Sequence, residues 1–405
     1  TDHGSLPKRV MLVHNRYLIR GGEDAVVDQE RDLLRSRGHV VSEYYKDNQE
    51  VAGMSNSHLA VSAVWSAQAY ADLRRLMDEM QPDVVHVHNT LPLISPAVYY
   101  AAKRHGIPVV QTLHNYRLLC ANGLLMRDST PCEECVGRSI PWPAIRHSCY
   151  RGSRAATIAV AASLVVHRAA GTFRREVGRY IALCQFAREK LLATGLPADR
   201  VVVKPNFTPD RHADSDLRGP RSGALFVGRL SVEKGVGVLM KAWESLDVEL
   251  QVIGPGSSTE LQISAPASIR FRGTVDDAEL ALAMRRAAFV VMPSLVYEGF
   301  PMVLAEAFSA GLPIIASRLG ALAELVEDGV TGLHFKANDP LDLAAKVRWA
   351  QSHPERMQEM GERARAMYLR RYTPQANYER LMEIYAEASA LTAASRAAPV
   401  RFDAS

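Results

Sequence analysis

The chain has 405 residues, of which 47% are hydrophobic and 23% charged, with a formal net charge of +4. That length suits two domains, the composition is that of a folded globular chain, and so mild a charge does not by itself point to nucleic acid. No apolar run reaches the roughly 18 residues of a membrane span, the longest candidate stopping at His167 and Arg168, and Thr1 to Arg9 carries no apolar signal core, so a cytoplasmic protein is expected.

In chain order, residues 8–13 read as a strand, a basic start followed by Val10, Met11, Leu12 and Val13. The turn Arg20-Gly21-Gly22-Glu23 follows, then a helix with apolar positions Ala25, Val26, Leu33 and Leu34, stopped by Gly38. A second strand begins at Val40-Val41, a third covers 83–87 after a helix that ends near Met80, and a fourth covers 107–113. Residues 180–183 and 200–203 read as the last strands of this sheet. The stretch 207–223 is polar and aperiodic, with two prolines and two glycines, and reads as a linker. The alternation then restarts with strands over 224–227, 249–253, 269–271, 289–292 and 313–316. From Leu341 to about Ala390 the tail reads as helical throughout. Strands alternating with helices at this spacing mean parallel sheets with crossover helices. The expected fold is therefore α/β, with two Rossmann-like domains facing a central cleft. The expected boundaries are 1–207 for the first domain, 208–222 for the linker, 223–372 for the second domain and 373–405 for a C-terminal helix and tail. Open sheets of this kind bind ligands at the carboxyl ends of their strands, which makes the cleft the place for chemistry.

The strongest chemical signal follows the strand at 289–292. Pro293-Ser294-Leu295-Val296-Tyr297-Glu298-Gly299-Phe300-Pro301 is a loop, and a helix runs from Met302 to Ala310, ended by Gly311 and Pro313. The loop thus presents a helix N-terminus, whose free N–H groups and partial positive charge suit an anion. Glu298 lies in the loop, and Glu306 follows inside an otherwise apolar helix, where a carboxylate costs free energy unless it has a partner. The two adjacent hydroxyls of a ribose make such a partner. Solvated surface charge is the alternative, and Phe300, Met302, Val303 and Leu304 argue for burial instead.

The turn Gly228-Arg229-Leu230-Ser231-Val232-Glu233-Lys234-Gly235 directly follows the first strand of the second sheet. Its two cations flank the way into a helix from Val236, a geometry that would neutralise a diphosphate. Gly21 and Gly22 would let the backbone approach a phosphate closely, although a glycine turn after a strand is most often only a turn. His114, in Gln111-Thr112-Leu113-His114-Asn115, ends a strand and so faces the cleft. His86 and His88 also end a strand; their spacing suits a metal pair, but no third ligand is evident, and they read as packing residues lining the cleft.

Taken together these residues resemble the retaining glycosyltransferases of family 4, which have the B-type glycosyltransferase fold. The resemblance covers nearly the whole chain, and the element from Glu298 to Glu306 is its most specific part. It implies C-terminal helices that cross back onto the first domain. It implies that Glu298 lies against the donor sugar, that Glu306 binds the nucleotide ribose, and that Arg229 and Lys234 hold the diphosphate. Gly21 and Gly22 would close over the phosphates from the other domain, and His114 would contact the transferred sugar near the reacting carbon. More loosely, Gly254, Thr274 and Val275 fall where the family's base-binding walls lie, and Phe300, Met302 and Val303 belong to the donor-binding loop. The co-substrate implied is a UDP- or GDP-sugar, used without a catalytic metal. Charge building on the departing β-phosphate would be stabilised by Arg229, Lys234 and backbone N–H groups. The function implied is transfer of a hexose to a lipid-linked or oligosaccharide acceptor, in cell-surface polysaccharide or glycolipid assembly. A non-catalytic nucleotide-sugar-binding scaffold or sensor with the same fold is the alternative. The chain departs from the family at Pro301, where glycine is frequent, so that Met302 and Val303 must supply the N–H donors, and at Asn206-Phe207, where Asn-Gly is frequent.

Two features fall outside that pattern. Cys120, Cys132, Cys135 and Cys149 share one loop-rich stretch, and Cys132-Glu133-Glu134-Cys135 has knuckle spacing. Four thiolates could close a structural zinc site. All-cysteine sites normally have two knuckles, so free thiols or a redox pair stand as the alternative. From Arg138 to Arg179 there are eight arginines and one acid, Glu176, around an apolar helix over 155–170, with Trp142 and Tyr150 ahead of it. Such a segment suits an anionic membrane surface, peripheral at the inner face of the plasma membrane, beside a lipid-linked acceptor. A core helix with solvated arginines is the equal alternative. One knuckle and a mild charge give no reason to expect a nucleic-acid partner.

Overall fold

The computed structural model describes residues 6–213, 219–256 and 265–397; residues 214–218 of the expected linker and both chain ends lie outside the described residues. The first sheet is built from β1 (Arg9–Arg16), β2 (Val40–Asp47), β3 (Val84–Val87) and β4 (Val109–Leu113). A two-stranded hairpin, β5 (Met126–Arg127) with β6 (Thr130–Pro131), interrupts it before β7 (Arg179–Ala182) and β8 (Val201–Val203) complete it. The second sheet comprises β9 (Ala224–Val227), β10 (Leu250–Ile253), β11 (Ile269–Gly273), β12 (Phe289–Met292), β13 (Ile314–Ser317) and β14 (Gly332–Phe335). Every pairing in both sheets is parallel.

The strand orders locate the ligand crevices. The first sheet runs β2-β1-β3-β4-β7-β8 and the second β11-β10-β9-β12-β13-β14. In each, the direction of winding reverses once, between β1 and β3 and between β9 and β12. At such a point the flanking connections leave to opposite faces, opening a crevice beyond the carboxyl ends of the strands. The central strands are continuous apolar runs because helices cover both faces: Val10, Leu12 and Val13 of β1 are fully buried, as are Val290 of β12 and Ile314 of β13. The helix Gly22–Ser36 turns Val26, Val27, Leu33 and Leu34 inward, and Glu30 with them.

Strands β1 to β4, β7 to β8 and β9 to β13 fall where the apolar runs predict them. The hairpin and β14 are additional. Strand β14 has only four residues and opens on Gly332, where an added Cβ would stand 2.0 Å from the Ile314 carbonyl oxygen, so glycine in a strand here reflects close backbone approach. The tail is not one continuous helical run but three helices, Pro340–Ser352, Pro354–Arg371 and Pro374–Ala397. Each begins with proline, whose missing N–H and fixed φ suit a first turn and no later one.

The last helix crosses back onto the first domain. Its Leu381, Ile384, Tyr385 and Ala388 are fully buried, and burying each of the two aliphatic side chains stabilises by roughly 1.5–3 kcal/mol. Polar contacts fix its register: Tyr378 Oη lies 2.9 Å from His39 Nε2, Tyr385 Oη lies 2.8 Å from His86 Nδ1, and Arg179 donates to Glu387 at 2.7 Å.

Candidate functional site

The crevice of the second sheet is formed by the turn after β9 and the loop after β12. Lys234 closes a short 3-10 turn, and Gly235, at φ +73°, redirects the chain into the helix Val236–Trp243. A Cβ at Gly235 would stand 1.8 Å from the Pro293 carbonyl oxygen, so only glycine lets the two loops meet. The Leu295 amide donates to the Glu233 carbonyl at 2.9 Å and ties them together. Lys234 Nζ donates to Glu298 Oε1 at 2.7 Å, and Ser294 Oγ donates to the same oxygen at 2.8 Å. Burial pushes the Glu298 carboxyl up, but the Lys234 ammonium and these hydrogen bonds outweigh it and hold it below the ordinary range. Arg229, 53% exposed, pairs with Glu233 at 3.0 Å.

Beyond that loop the helix Met302–Ser309 starts at Pro301 with no side-chain cap. Among the described residues the amides of Met302 and Val303 make no hydrogen bond. The carboxylate of Glu306, half-buried in this helix, likewise has no hydrogen-bond partner among the described residues. Burial, aided by Asp277 and opposed by Arg211, pushes its carboxyl up to about 7.

Phe300 is buried, as its place in the apolar stretch after Glu298 predicts. It is 5% exposed and stacks edge-on against Tyr372 with centroids 5.2 Å apart, so it braces the loop from behind and leaves only its backbone toward the crevice. Gly254 sits at the end of β10 with φ +141°, and a Cβ there would stand 2.0 Å from the Gly228 carbonyl oxygen. Its amide donates to the Gly273 carbonyl at 2.8 Å. Thr274, exposed, and Val275, half-buried, continue this rim past β11.

The first domain faces these loops closely. A Cβ on Gly22 would lie 3.7 Å from Met302 Cγ, whereas one on Gly21 would meet nothing within 4 Å. Gly299 abuts the His114 carbonyl oxygen, at 2.9 Å from where its Cβ would be. Tyr116 Oη donates to the Glu298 carbonyl at 3.1 Å, and Asn206 Nδ2 to the Phe300 carbonyl at 3.3 Å. His114 and Glu298, far apart in sequence, are thus brought to one place.

Behind His114 lies a buried polar cluster. His88 Nδ1 is 2.9 Å from His114 Nε2, and the rings stack with centroids 5.2 Å apart. His88 Nε2 is 3.4 Å from Glu30 Oε2, while Lys204 Nζ donates to Glu30 Oε1 at 2.8 Å. His86 is engaged through both ring nitrogens, by Tyr385 and Thr112, each at 2.8 Å. The reading of His86 and His88 as packing residues is corrected here: they are hydrogen-bonded members of this cluster, with Glu30 beside them. Glu30, His86 and His88 form the one set among the described residues whose ligand atoms lie within 4.8 Å of one another. They do not fit a cation, because the Lys204 ammonium already neutralises Glu30 and neither nitrogen of His86 is free.

The sequence did offer one signal for Glu30. It recurs with Val26, Val27, Leu33 and Leu34 on the apolar stripe of its helix, a charge where none is expected. Lys204 offered none. Tyr17 and Arg117 were also missed; Tyr17 donates to Glu23 at 2.9 Å, and Arg117 has two nitrogens buried without a hydrogen-bond partner beside His114 and Asn115.

The cysteines are neighbours. Burial pushes the Cys135 thiol up to about 11, and Cys120, Cys149 and Cys132 add to that shift. Among the described residues no three of the four sulfurs lie within 4.8 Å of one another, and the zinc expectation stands on the knuckle spacing alone. Of the eight arginines in the basic segment, Arg138, Arg146, Arg151, Arg154, Arg174 and Arg175 are exposed. Arg168 instead turns inward to the carbonyls of Arg138 and Leu118, and Arg179 is bound to Glu387. Ile140, Trp142, Ile158 and Val166 are exposed among them, Trp142 by 62%. No helix among the described residues is long and apolar enough to cross a membrane.

Comparison with known proteins gives two family matches. The model described as "Glycosyl transferases group 1" matches residues 221–353, and that described as "Glycosyl transferase 4-like domain" matches residues 21–206. Similar sequences include a glycogen synthase of Mycobacterium tuberculosis, 29% identical over 305 residues, which are 70% of this chain and 64% of that enzyme. A phosphatidyl-myo-inositol mannosyltransferase of Mycobacterium leprae is 35% identical over 222 residues, 52% of this chain and 59% of its own length. The chain therefore spans somewhat less than two thirds of these relatives. Among solved structures, HepE of Anabaena, determined with UDP and glucose, superposes with a TM-score of 0.65 at 16% identity, covering 93% of this chain and 98% of HepE.

Proposed function

Because this chain belongs to the group 1 glycosyl transferases with a 4-like domain on its N-terminal side, we propose that it is a retaining hexosyltransferase using a nucleoside-diphosphate sugar. One observation carries the reading: Lys234 and Glu298 paired at 2.7 Å, with an unpartnered Glu306 one helix away, at the winding reversal of the second sheet. A ribose diol would donate to the Glu306 carboxylate and offset its burial. Lys234, Arg229 and the Met302 and Val303 amides would meet the diphosphate charge, so the reading needs no catalytic metal. The C1–oxygen bond to the β-phosphate breaks while the acceptor oxygen forms its bond to C1 on the same face. The acceptor proton passes to the departing phosphate oxygen. Glu298 and His114 line the sugar on opposite sides of the cleft, and the rim of Gly254, Thr274 and Val275 would flank the base, with Gly21 and Gly22 closing over the phosphates.

The donor is a UDP- or GDP-sugar, and the UDP held by HepE supports the uridine form. The name of the mannosyltransferase relative supports a lipid-linked acceptor. The exposed Trp142, Ile140 and Ile158 among six exposed arginines support contact with an anionic membrane face, in cell-surface polysaccharide or glycolipid assembly. The test is a melting-temperature panel of nucleotides and nucleotide sugars, followed by turnover with the best donor on anionic vesicles and assignment of the product anomer by NMR. A rise with UDP or GDP and a product of unchanged anomeric configuration are expected. Inversion, or no rise with any nucleotide, would overturn the reading. A rise without turnover on any acceptor would favour a nucleotide-sugar sensor.

A further inference from the structure

We infer that Glu30 and His88 are positioning residues that fix which ring nitrogen of His114 carries the proton, so that His114 offers an unprotonated Nδ1 to the donor sugar. The inference rests on the reading that His114 meets that sugar.

The chain of contacts decides the tautomer. Lys204 Nζ, 2.8 Å away, keeps Glu30 ionised: burial pushes its carboxyl up, but the Lys204 ammonium pulls it below the ordinary range. Burial disfavours the cationic form of His88, which is therefore neutral and has one N–H to place. Glu30 Oε2 and His88 Nε2 are both buried without a hydrogen-bond partner and face each other at 3.4 Å. Placing the proton on Nε2 points an N–H at the carboxylate; the other tautomer points a lone pair at it, which repels. Nδ1 of His88 is then an acceptor. A hydrogen bond between two neutral imidazoles holds one proton, so at 2.9 Å His114 must donate from Nε2. That leaves the lone pair of His114 on Nδ1, which makes no hydrogen bond among the described residues. A sugar hydroxyl can donate to it.

The other groups around the pair do not compete. His86 is held by Tyr385 and Thr112. His14 approaches His88 edge-on with centroids 6.2 Å apart and spends Nε2 on Asp24 at 2.8 Å. Glu23, 4.0 Å from His14, Lys204, and the Arg117 guanidinium beside His114 are the remaining charges near the cluster; none of them makes a hydrogen bond to His88 or His114. The arrangement differs from a packing cluster in one respect: it transmits a choice made at Glu30, deep in the first domain, to an atom in the cleft.

The test reads the ring nitrogens of His114 by NMR of the full chain labelled with 15N-histidine, assigned by comparison with His114→Ala, at a pH where the rings are neutral. The wild type should show the Nε2–H form. The double variant Glu30→Gln/Lys204→Met removes both buried charges together and puts an amide that can donate to His88 in place of the carboxylate. The Nδ1–H form of His114 should then appear, with kcat lower on the order of 10- to 100-fold and KM for the donor little changed. His88→Phe, which keeps a ring but removes the acceptor, should leave His114 a mixture of tautomers. An Nδ1–H form in the wild type, or an unchanged His114 in both folded variants, would overturn the inference. If the tautomer shifts as expected while His114→Ala turns over at the wild-type rate, the relay stands and the donor contact of His114 fails.

Discussion

The molecule contains two lysine–glutamate pairs of nearly the same length in very different surroundings. Lys204 and Glu30 meet at 2.8 Å with both side chains at most 2% exposed; Lys234 and Glu298 meet at 2.7 Å with 25% and 12% exposed. The buried pair has no access to a ligand. Lys204 donates to Glu30 and to Asn377, and neither member of the pair can move without stranding a charge. The cleft pair lies beside free amides and an exposed arginine, where an incoming diphosphate can take the lysine over at little cost. Under the proposed donor reading one bond length serves two ends: in the first domain it fixes a geometry, in the second it would keep a cation in place for a diphosphate.

Breaking each pair should separate these roles. Lys204→Met leaves Glu30 charged and buried, and is expected to cost about 3–5 kcal/mol of stability in denaturant unfolding. Adding Glu30→Gln should recover most of it. Lys234→Met leaves Glu298 with Ser294 and partial solvent access and should cost less, about 1–3 kcal/mol, yet lower kcat/KM on the order of 100- to 1,000-fold in a donor assay. Equal destabilisation by the two lysine substitutions would erase the distinction.

The smallest effect sharpens the comparison from the donor side. Glu306 titrates at about 7, above its ordinary 4.5. A bound ribose wants the ionised form, so nucleotide affinity should rise as pH goes from 6 to 8, being about tenfold weaker at pH 6 than at the plateau. Without ligand the sign reverses: the folded state holds a proton that the unfolded state has lost between about 4.5 and about 7, so the stability Glu306 contributes declines as pH rises through that window. Calorimetric titration at several pH values, with Glu306→Gln as the flat reference, measures both.

The two pairs also mark how far a sequence can be read. The cleft pair was legible because its members sit in local patterns: Lys234 in a basic glycine turn after a strand, Glu298 in a loop that opens a helix. The strands were legible because they are short apolar runs, several of them in the second sheet closed by glycine or proline. The buried pair was half legible, since Glu30 breaks an apolar stripe. Its partner is 174 residues away, and nothing near Lys204 announces it. Likewise the burial of Phe300 was legible from its apolar neighbours, but its ring partner Tyr372, 72 positions on, was not. Strand β14 was missed because four residues opening on glycine have too little pattern to tell a strand from a turn.

The crossing of the last helix onto the first domain has a consequence for the order in which the protein is made. Lys204 and Asn377, 173 positions apart, lie 3.3 Å from one another, and Tyr385 completes the surroundings of His86. A ribosome adding about 5–20 residues per second therefore leaves the first domain unfinished for about 9–36 s after its own strands have emerged. During that interval the face awaiting Leu381, Ile384 and Ala388 is uncovered, and the buried ammonium lacks one of its two acceptors. The N-terminal half, although first to be synthesised, is among the last parts to be completed, and a chain that stops short of residue 377 would lose the covering of the first domain before it lost any part of the donor cleft.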